Sequence, residues 1–209
     1  MLTQEEWMDA LNARHGRERQ EKFSRAAVAV CGLGGLGSNV AIALARAGIG
    51  KLILIDFDRV DVTNLNRQQY KASQLGMDKT EALAQNLREI NPFIRLETYA
   101  VRISEENAQE LLQEADVVCE AFDVPEAKAM LVNFVLENMP EKYLVAGSGM
   151  AGFGSPNTIQ TRRITGRFYL CGDTVSDVND GIGLVCARVM VCAAHEAHTI
   201  LRLLANEIE

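Results

Sequence analysis

Short apolar runs alternate with stretches of helical spacing between residues 26 and 148. The apolar runs are continuous rather than strictly alternating, which is typical of strands covered on both faces. Strands are therefore predicted over residues 26–31, 51–56, 93–101, 116–122 and 142–148. Helices are predicted between them, over residues 36–47, 77–89, 104–113 and 125–139. This order predicts an α/β fold with a Rossmann-like, doubly wound, mostly parallel sheet.

The pattern changes after residue 148. Turn-forming residues surround two strands that we expect to pair antiparallel, and a long final helix is predicted over residues 185–205. Two local signals support the predicted helix starts. Ser104 stands three residues before Asn107, as a capping residue does, and Pro125 occupies a first-turn position where its missing N–H costs nothing.

Composition narrows the class of protein. The 209 residues are 48% hydrophobic, which excludes a disordered chain, and 21 basic against 28 acidic residues leave a net charge of -7. Without a basic run, we expect no nucleic acid partner, since such binding depends on neutralising phosphates. The uncharged run 26–45 contains four glycines, so we expect no membrane span, and residues 1–25 lack the apolar core of a signal peptide.

The five cysteines are odd in number and form no C-x-x-C pair. This usage indicates reduced thiols and a cytoplasmic location, and it predicts no zinc site. Cys171 lies in a turn-rich stretch and is the one cysteine considered for sulfur chemistry, whereas the other four are predicted to be core thiols. His195 and His198 lie three apart on the final helix, with no third ligand in view, so a metal there is not expected.

A glycine-rich turn follows the first predicted strand. Gly32, Gly34 and Gly37 form G-x-G-x-x-G at the mouth of a helix, and Asp56 ends the second strand nineteen residues past the last glycine. Glycines let the backbone approach a phosphate, and a carboxylate at the next strand end accepts from ribose hydroxyls. The context predicts a nucleotide site, but the motif alone does not choose between NAD and ATP.

Polar residues gather where the predicted strands end. They are Asp56, Asp58, Asn64 and Arg67 after the second strand, Lys79 at the next helix, and Asp123 after the fourth strand. Two cations and a carboxylate beside a nucleotide suit phosphoryl or nucleotidyl chemistry. Each also has a structural alternative: Arg67 as a loop salt bridge, Lys79 as a solvated helix residue, and Asp123 as a helix cap.

The segment from Cys31 to Tyr70, with its N-L-N-R-Q run, closely resembles the ATP-binding core of the ThiF/MoeB/HesA group, relatives of ubiquitin-activating enzymes. The resemblance extends through Lys79 and the E-A-F-D run that ends in Asp123, and then more weakly to the C-terminus. The stretches RHG, SGMAGFGS and FYLCGD are similar to the short, single-domain ThiF type of thiamine biosynthesis.

This resemblance implies ATP- and Mg²⁺-dependent adenylation of the C-terminal glycine carboxylate of a small ubiquitin-like sulfur carrier with a Gly-Gly tail. It implies that Asp123 binds Mg²⁺ and that Asp56 holds the ribose. It further implies that the nucleotide phosphates pack on the glycine loop, at Gly32, Gly34, Gly35 and Gly37. The triphosphate or its metal would be contacted by Asp58, Asn64, Arg67 and Lys79. In this group an N-terminal arginine of the second subunit of a homodimer reaches the same ATP. Arg17, or less favourably Arg14, is the candidate here.

The sequence departs from the group in several places. The zinc-binding C-x-x-C pairs of longer members are absent, Asp78 precedes Lys79 where proline is common, and Val124 rather than asparagine follows Asp123. The N-terminal arginine pattern is stretched to RHGRERQ. The expected organisation is a single adenylation domain over residues 1–209, with a helical segment at 1–25, a nucleotide-binding core at 26–148, and the antiparallel strands and last helix at 149–209.

Three other functions remain open at this point. The first is a related ATP-dependent enzyme that acts on tRNA or on another carrier. The second is an NAD-dependent dehydrogenase, although only about sixty residues follow the fifth predicted strand. The third is a catalytically silent module that only binds a carrier.

Overall fold

The structure is a computed structural model that describes residues 2–179 and 181–207, and these ranges contain seven α-helices and seven β-strands. The helices are α1 (Gln4–His15), α2 (Arg17–Arg25), α3 (Gly35–Arg46), α4 (Lys79–Ile90), α5 (Glu105–Leu112), α6 (Pro125–Asn138) and α7 (Cys186–Ala205). The strands are β1 (Ala27–Cys31), β2 (Lys51–Ile55), β3 (Arg95–Tyr99), β4 (Val117–Glu120), β5 (Tyr143–Gly147), β6 (Gln160–Arg163) and β7 (Phe168–Gly172).

The strands form one sheet in the order β3-β2-β1-β4-β5-β7-β6. Every neighbouring pair is parallel except β6 with β7. The chain runs outward from β1 to β3 and then crosses to β4 on the other side of β1, so the strand order reverses between β1 and β4. In open sheets of this kind, ligands bind outside the carboxyl ends of the strands at the reversal. The predicted doubly wound sheet, its C-terminal antiparallel strands and its final helix are confirmed.

Two apolar layers cover the sheet. Along β1, Val28 and Val30 enter the layer formed with α3, α4 and α7, whereas Ala29 and Cys31 enter the layer formed with α5 and α6. All five residues of β1 are therefore buried. This double coverage explains why the run is continuously apolar in the sequence.

Local signals fix several helix starts. Ser104 is the N-cap residue of α5, as predicted, and its N–H donates to Asn107 Oδ1 (2.9 Å). Pro125 is the first residue of α6, as predicted. The N-cap residue of α6 is Val124, with no side-chain cap, so the interpretation of Asp123 as a helix cap is wrong.

Some predicted boundaries shift. The predicted helix over 77–89 begins at Lys79, because Asp78 is extended (ψ 134°) and the Lys79 N–H donates to the Asp58 carbonyl (2.9 Å). The N-terminal helical segment is two helices, since Gly16 between them has φ +80°. The third strand covers only Arg95–Tyr99 rather than residues 93–101. Within the described ranges, no helix is long and apolar enough to cross a bilayer.

Candidate active site

The glycine loop joins β1 to α3 at the strand reversal, and its glycines serve different purposes. Gly32 has φ +90°, and a Cβ there would lie 2.8 Å from the Ala121 carbonyl oxygen. A Cβ on Gly37 would lie 1.8 Å from the Gly32 carbonyl oxygen. Both glycines are therefore required by the packing of the chain itself. Gly34 is different, because the atom nearest to a Cβ placed on it would be Gln68 Nε2, at 3.8 Å. The space beside Gly34 is open.

The open space lies at the N-terminus of α3. Gly34 is the N-cap residue, with no side-chain cap, and the first turn of α3 contains no acidic residue. The first N–H groups of a helix have no intrahelical partner and lie at the positive end of its dipole. This helix start can therefore accept an anionic group such as a phosphate.

Leu33 is held from both sides, which fixes the shape of the loop. Its N–H donates to Asp56 Oδ2 (2.6 Å), and its carbonyl accepts from the Tyr70 hydroxyl (2.7 Å). The second Asp56 oxygen accepts from the Asp58 N–H (2.8 Å). Burial raises the pKa of the Asp56 carboxyl, against the lowering effect of nearby Lys79 and the two N–H groups. Asp56 thus supports the glycine loop, and so does Tyr70, which no motif in the sequence marks as a site residue.

Asp58 and Lys79 form an ion pair at the end of β2. Lys79 Nζ lies 2.8 Å from Asp58 Oδ2, and the lysine side chain is only 7% exposed while that of the aspartate is 49% exposed. The interpretation of Lys79 as a solvated helix residue is therefore wrong. The half-exposed carboxylate holds a buried ammonium group at the carboxyl end of β2.

Arg67 lies over the glycine loop. A Cβ on Gly35 would be 3.4 Å from Arg67 Cγ, and the guanidinium donates to the Thr63 carbonyl (3.1 Å) and to Asn66 Oδ1 (2.8 Å). Within the described residues Arg67 forms no salt bridge, so the loop salt-bridge alternative is wrong, and its buried Nε has no hydrogen-bond partner there.

Asn64 shapes the loop that presents this arginine. Its Oδ1 accepts from the Asp61 N–H (2.9 Å), and its carbonyl accepts from the Arg67 N–H (3.2 Å). The side-chain oxygen is thus used within the loop.

Asp123 lies in the turn between β4 and α6. It follows Ala121, whose carbonyl packs against Gly32, so the turn lies beside the glycine loop. Asp123 is exposed, and no hydrogen bond or ion pair to its carboxylate is found in the described part of the chain. Glu120, three residues earlier, is buried and bonded to Lys128 Nζ (2.8 Å). Of these two carboxylates, Asp123 is the one available to a ligand.

An open groove of about 430 Å³ adjoins Arg67. One side consists of Asn66 and Arg67, and the outer wall consists of Val178 and residues 182–185. Arg67 therefore lies between the glycine loop and the groove.

Residues 9–207 match the model of the ThiF family. The chain belongs to the ThiF family. Adenylyltransferase and sulfurtransferase UBA4 of Lodderomyces elongisporus is 34% identical over 192 residues, which cover 87% of this chain and 42% of that protein. A sulfur carrier protein adenylyltransferase of Thermus thermophilus is 39% identical over 131 residues, which cover 62% of this chain and 43% of that protein. This ThiF-family chain thus spans less than half the length of the curated relatives it matches.

Solved structures confirm the fold of this ThiF-family chain. E. coli tRNA N6-threonylcarbamoyladenosine dehydratase, TcdA, in complex with ATP superposes with a TM-score of 0.87 at 24% identity, covering 99% of this chain and 98% of that one. E. coli MccB with ATP gives a TM-score of 0.70 at 25% identity, covering 92% of this chain and 59% of that one.

The candidate N-terminal arginines lie far from this cluster. Arg17 begins α2, is exposed, and pairs with Glu21 (3.1 Å). The start of α2 is anchored where Gln20 Nε2 donates to the Gly48 carbonyl (3.2 Å), just before β2 begins. Arg14, on the last turn of α1, lies near the same junction. The amino ends of the strands are opposite the glycine loop, so within one ThiF-family chain neither arginine joins the candidate site.

Two cysteines lie in surroundings other than those expected from the sequence. Cys171 is fully buried in β7, and burial raises the pKa of its thiol to about 12, which makes it a poor nucleophile. Cys186, predicted as a core thiol, is partly exposed at the first position of α7.

In the described ranges, no group of three or more His, Cys, Asp or Glu side chains could hold a metal ion. The expectation that this ThiF-family chain lacks zinc stays a prediction.

Proposed function

We propose that this chain uses ATP to adenylate a carboxylate, and that its acceptor is the C-terminal glycine of a small ubiquitin-like sulfur carrier. The observation that supports this best is the grouping at one edge of the sheet. An uncapped helix start with open space, two cations and a free carboxylate meet there at Gly34, Arg67, Lys79 and Asp123. The names of the two curated relatives support the same chemistry.

The phosphates of ATP would occupy the space beside Gly34. The N–H groups at the start of α3 would donate to phosphate oxygens, and Arg67 and Lys79 would offset the negative charge. Asp56 remains our candidate for the ribose hydroxyls, because its carboxylate accepts two N–H bonds and has lone pairs left.

Asp123 would hold Mg²⁺. Magnesium binds proteins through one or two carboxylates together with substrate phosphates, so a single exposed carboxylate without a partner fits this ion. When bound, the ion would offset charge on the phosphates.

The chemical step forms one bond and breaks one. A carboxylate oxygen of the acceptor attacks the α-phosphorus, the bond from that phosphorus to the bridging oxygen breaks, and its electron pair leaves with pyrophosphate. The acceptor is already ionised, so no general base is needed. Positioning in the groove beside Arg67 and charge neutralisation by Arg67 and Lys79 supply the rate.

We further propose the short ThiF type of thiamine thiazole biosynthesis, acting as a homodimer in the cytoplasm. Residues 1–209 would then act as one adenylation domain. The five free cysteines are compatible with a reducing compartment. The position of Arg17 at the opposite end of the sheet supports its use in a partner subunit's site rather than in its own.

Pyrophosphate exchange into ATP tests the proposal. We expect exchange with a purified carrier that ends in Gly-Gly and none with the same carrier lacking those two residues. Exchange driven by tRNA but by no carrier would overturn the proposed acceptor. Tight NAD binding without ATP binding, or carrier binding indifferent to ATP with no exchange, would overturn adenylation itself.

Two glycine-to-alanine substitutions distinguish an effect on nucleotide binding from an effect on folding. We expect Gly34→Ala to fold normally but to bind ATP at least about tenfold more weakly, because the methyl group occupies the open space at α3. Gly37→Ala should instead lose about 3 kcal/mol or more of unfolding free energy, because its methyl group meets backbone. Calorimetric titration with ATP and urea unfolding measure the two effects. A Gly34→Ala protein with wild-type affinity for ATP would contradict the phosphate position.

A further inference from the structure

Arg188 is a buried cation near the start of α7 that the proposed chemistry does not use. Its side chain is 7% exposed. A guanidinium has five N–H donors, and all five are used here. The acceptors are the carbonyls of Ala151 (3.0 Å), Gly154 (3.1 Å) and Ser155 (2.7 Å), Thr158 Oγ1 (3.1 Å) and Asp173 Oδ2 (2.5 Å).

These acceptors belong to two separate segments, the loop 149–158 and the turn that begins at Asp173. Asp173 Oδ1 accepts from the backbone N–H groups of Val175 and Ser176, each at 2.9 Å. Burial acts to raise the pKa of Asp173, but these N–H groups and Arg188 hold it below its ordinary value. A Cβ on Gly149 would lie 2.1 Å from Asp173 Oδ1, so the two segments are closely packed. Arg188 therefore connects the loop 149–158 to the turn that begins at Asp173.

Both segments support the outer wall of the groove. The Gly152 N–H donates to the Gly183 carbonyl (3.0 Å), and the turn after Asp173 leads into Val178, another wall residue. The wall residues line the same groove as Arg67, and the Asn66 side chain donates to the Leu184 carbonyl (3.4 Å). Val189, the residue after Arg188, contacts the glycine loop, since a Cβ on Gly35 would lie 3.1 Å from Val189 Cγ1. One turn of α7 therefore contacts the glycine loop through Val189 and supports the outer wall of the groove through Arg188.

We propose that Arg188 is a positioning residue for the acceptor: it fixes the outer wall of the groove that Arg67 also lines, without contacting ATP. This inference rests on the proposed function. The role needs arginine rather than a generic cation, because lysine has three donors on one nitrogen and cannot bridge five acceptors spread over two segments.

The test uses Arg188→Lys, which keeps the charge beside Asp173. We expect the KM for the carrier in pyrophosphate exchange to rise about tenfold, since several hydrogen bonds are lost, while the KM for ATP stays within about twofold. Thr158→Val, which removes one acceptor, should shift the carrier KM in the same direction by about threefold. Arg202→Lys is the matched control, because Arg202 lies on the same helix and donates to the Glu207 carbonyl.

Amide hydrogen exchange tests the role of Arg188 without an activity measurement. In Arg188→Lys, amides of residues 149–158 and 173–179 should exchange faster, and those of β1 and α3 should not. An active wild type with an unchanged carrier KM in Arg188→Lys would overturn the positioning role alone. An equal rise in the carrier and ATP KM values would overturn it as well. A wild type inactive with every acceptor would overturn the proposed function instead.

Discussion

Replacing Asp123 by asparagine should abolish pyrophosphate exchange and leave the fold intact. Asp123 is exposed, and no hydrogen bond or ion pair to its carboxylate is found among the described residues, so its loss breaks no contact there. The amide of asparagine lacks the negative charge that would hold Mg²⁺ under the proposed function. We expect exchange to fall about a hundredfold or more, since charge stabilisation by a metal is worth several kcal/mol.

Two comparisons make this result specific. Glu126→Gln, an exposed carboxylate in the first turn of α6, is the matched control and should keep wild-type exchange. The Mg²⁺ concentration needed for half-maximal exchange should rise in Asp123→Asn and stay unchanged in the control. Exchange by Asp123→Asn with wild-type Mg²⁺ dependence would remove the metal role from this residue.

Replacing Glu196 by glutamine should stabilise the protein at neutral pH. Glu196 lies on α7 with no exposed surface, and neither carboxyl oxygen has a hydrogen-bond partner in the described part of the chain. Oε1 would lie 2.8 Å from a Cβ on Gly147, so the carboxyl group fills the space left by that glycine against β5. A buried, unpaired carboxylate is costly, which keeps the group protonated in the native state.

The direction in which stability changes with pH follows from the pKa of Glu196. Burial raises the pKa of Glu196 far above its ordinary value, with partial opposition from Lys128 and a further upward contribution from Glu120. The unfolded chain releases this proton near pH 4.3, whereas the native protein retains it. The contribution of protonated Glu196 to the unfolding free energy is therefore fully present below about pH 4.3. It falls by about 1.4 kcal/mol per pH unit as the pH rises toward the native pKa of this group.

Urea unfolding between pH 5 and pH 8 measures this effect. Glutamine cannot ionise, so the gain in unfolding free energy of Glu196→Gln should grow as the pH rises from 5 to 8, by at most about 1.4 kcal/mol per pH unit. Glu137→Gln, an exposed change on α6, should follow the wild-type curve. Parallel curves for wild type and Glu196→Gln would show that Glu196 has an ordinary pKa in the native state.

The fold is predictable where local sequence encodes burial. The continuous apolar run of β1 follows from coverage on both faces, and the intervening helices require parallel pairing. The pairing of β7 is not predictable in the same way. β7 pairs antiparallel with β6 as expected, but it also extends the parallel sheet beside β5, and no local pattern specifies a strand's second neighbour.

The same distinction holds for the candidate site. Asp56, Lys79 and Asp123 can be placed at one edge from the sequence because the carboxyl ends of parallel strands lie together. Arg188 cannot, because its acceptors lie 15 to 37 positions away along the chain. Glycine and aspartate after Cys171 predict a turn at that cysteine, whereas β7 continues through Gly172 and buries the thiol.

The two hydrogen bonds at Leu33 have a consequence for the nucleotide affinity expected of the proposed site. A loop that must be ordered by its ligand consumes part of the binding free energy in lost conformational entropy. Here the Asp56 carboxylate and the Tyr70 hydroxyl hold the turn in place through contacts within the protein. Little ordering remains for the phosphates to impose. Under the proposed function, little of the phosphate-binding free energy at the start of α3 would therefore be lost to ordering the loop.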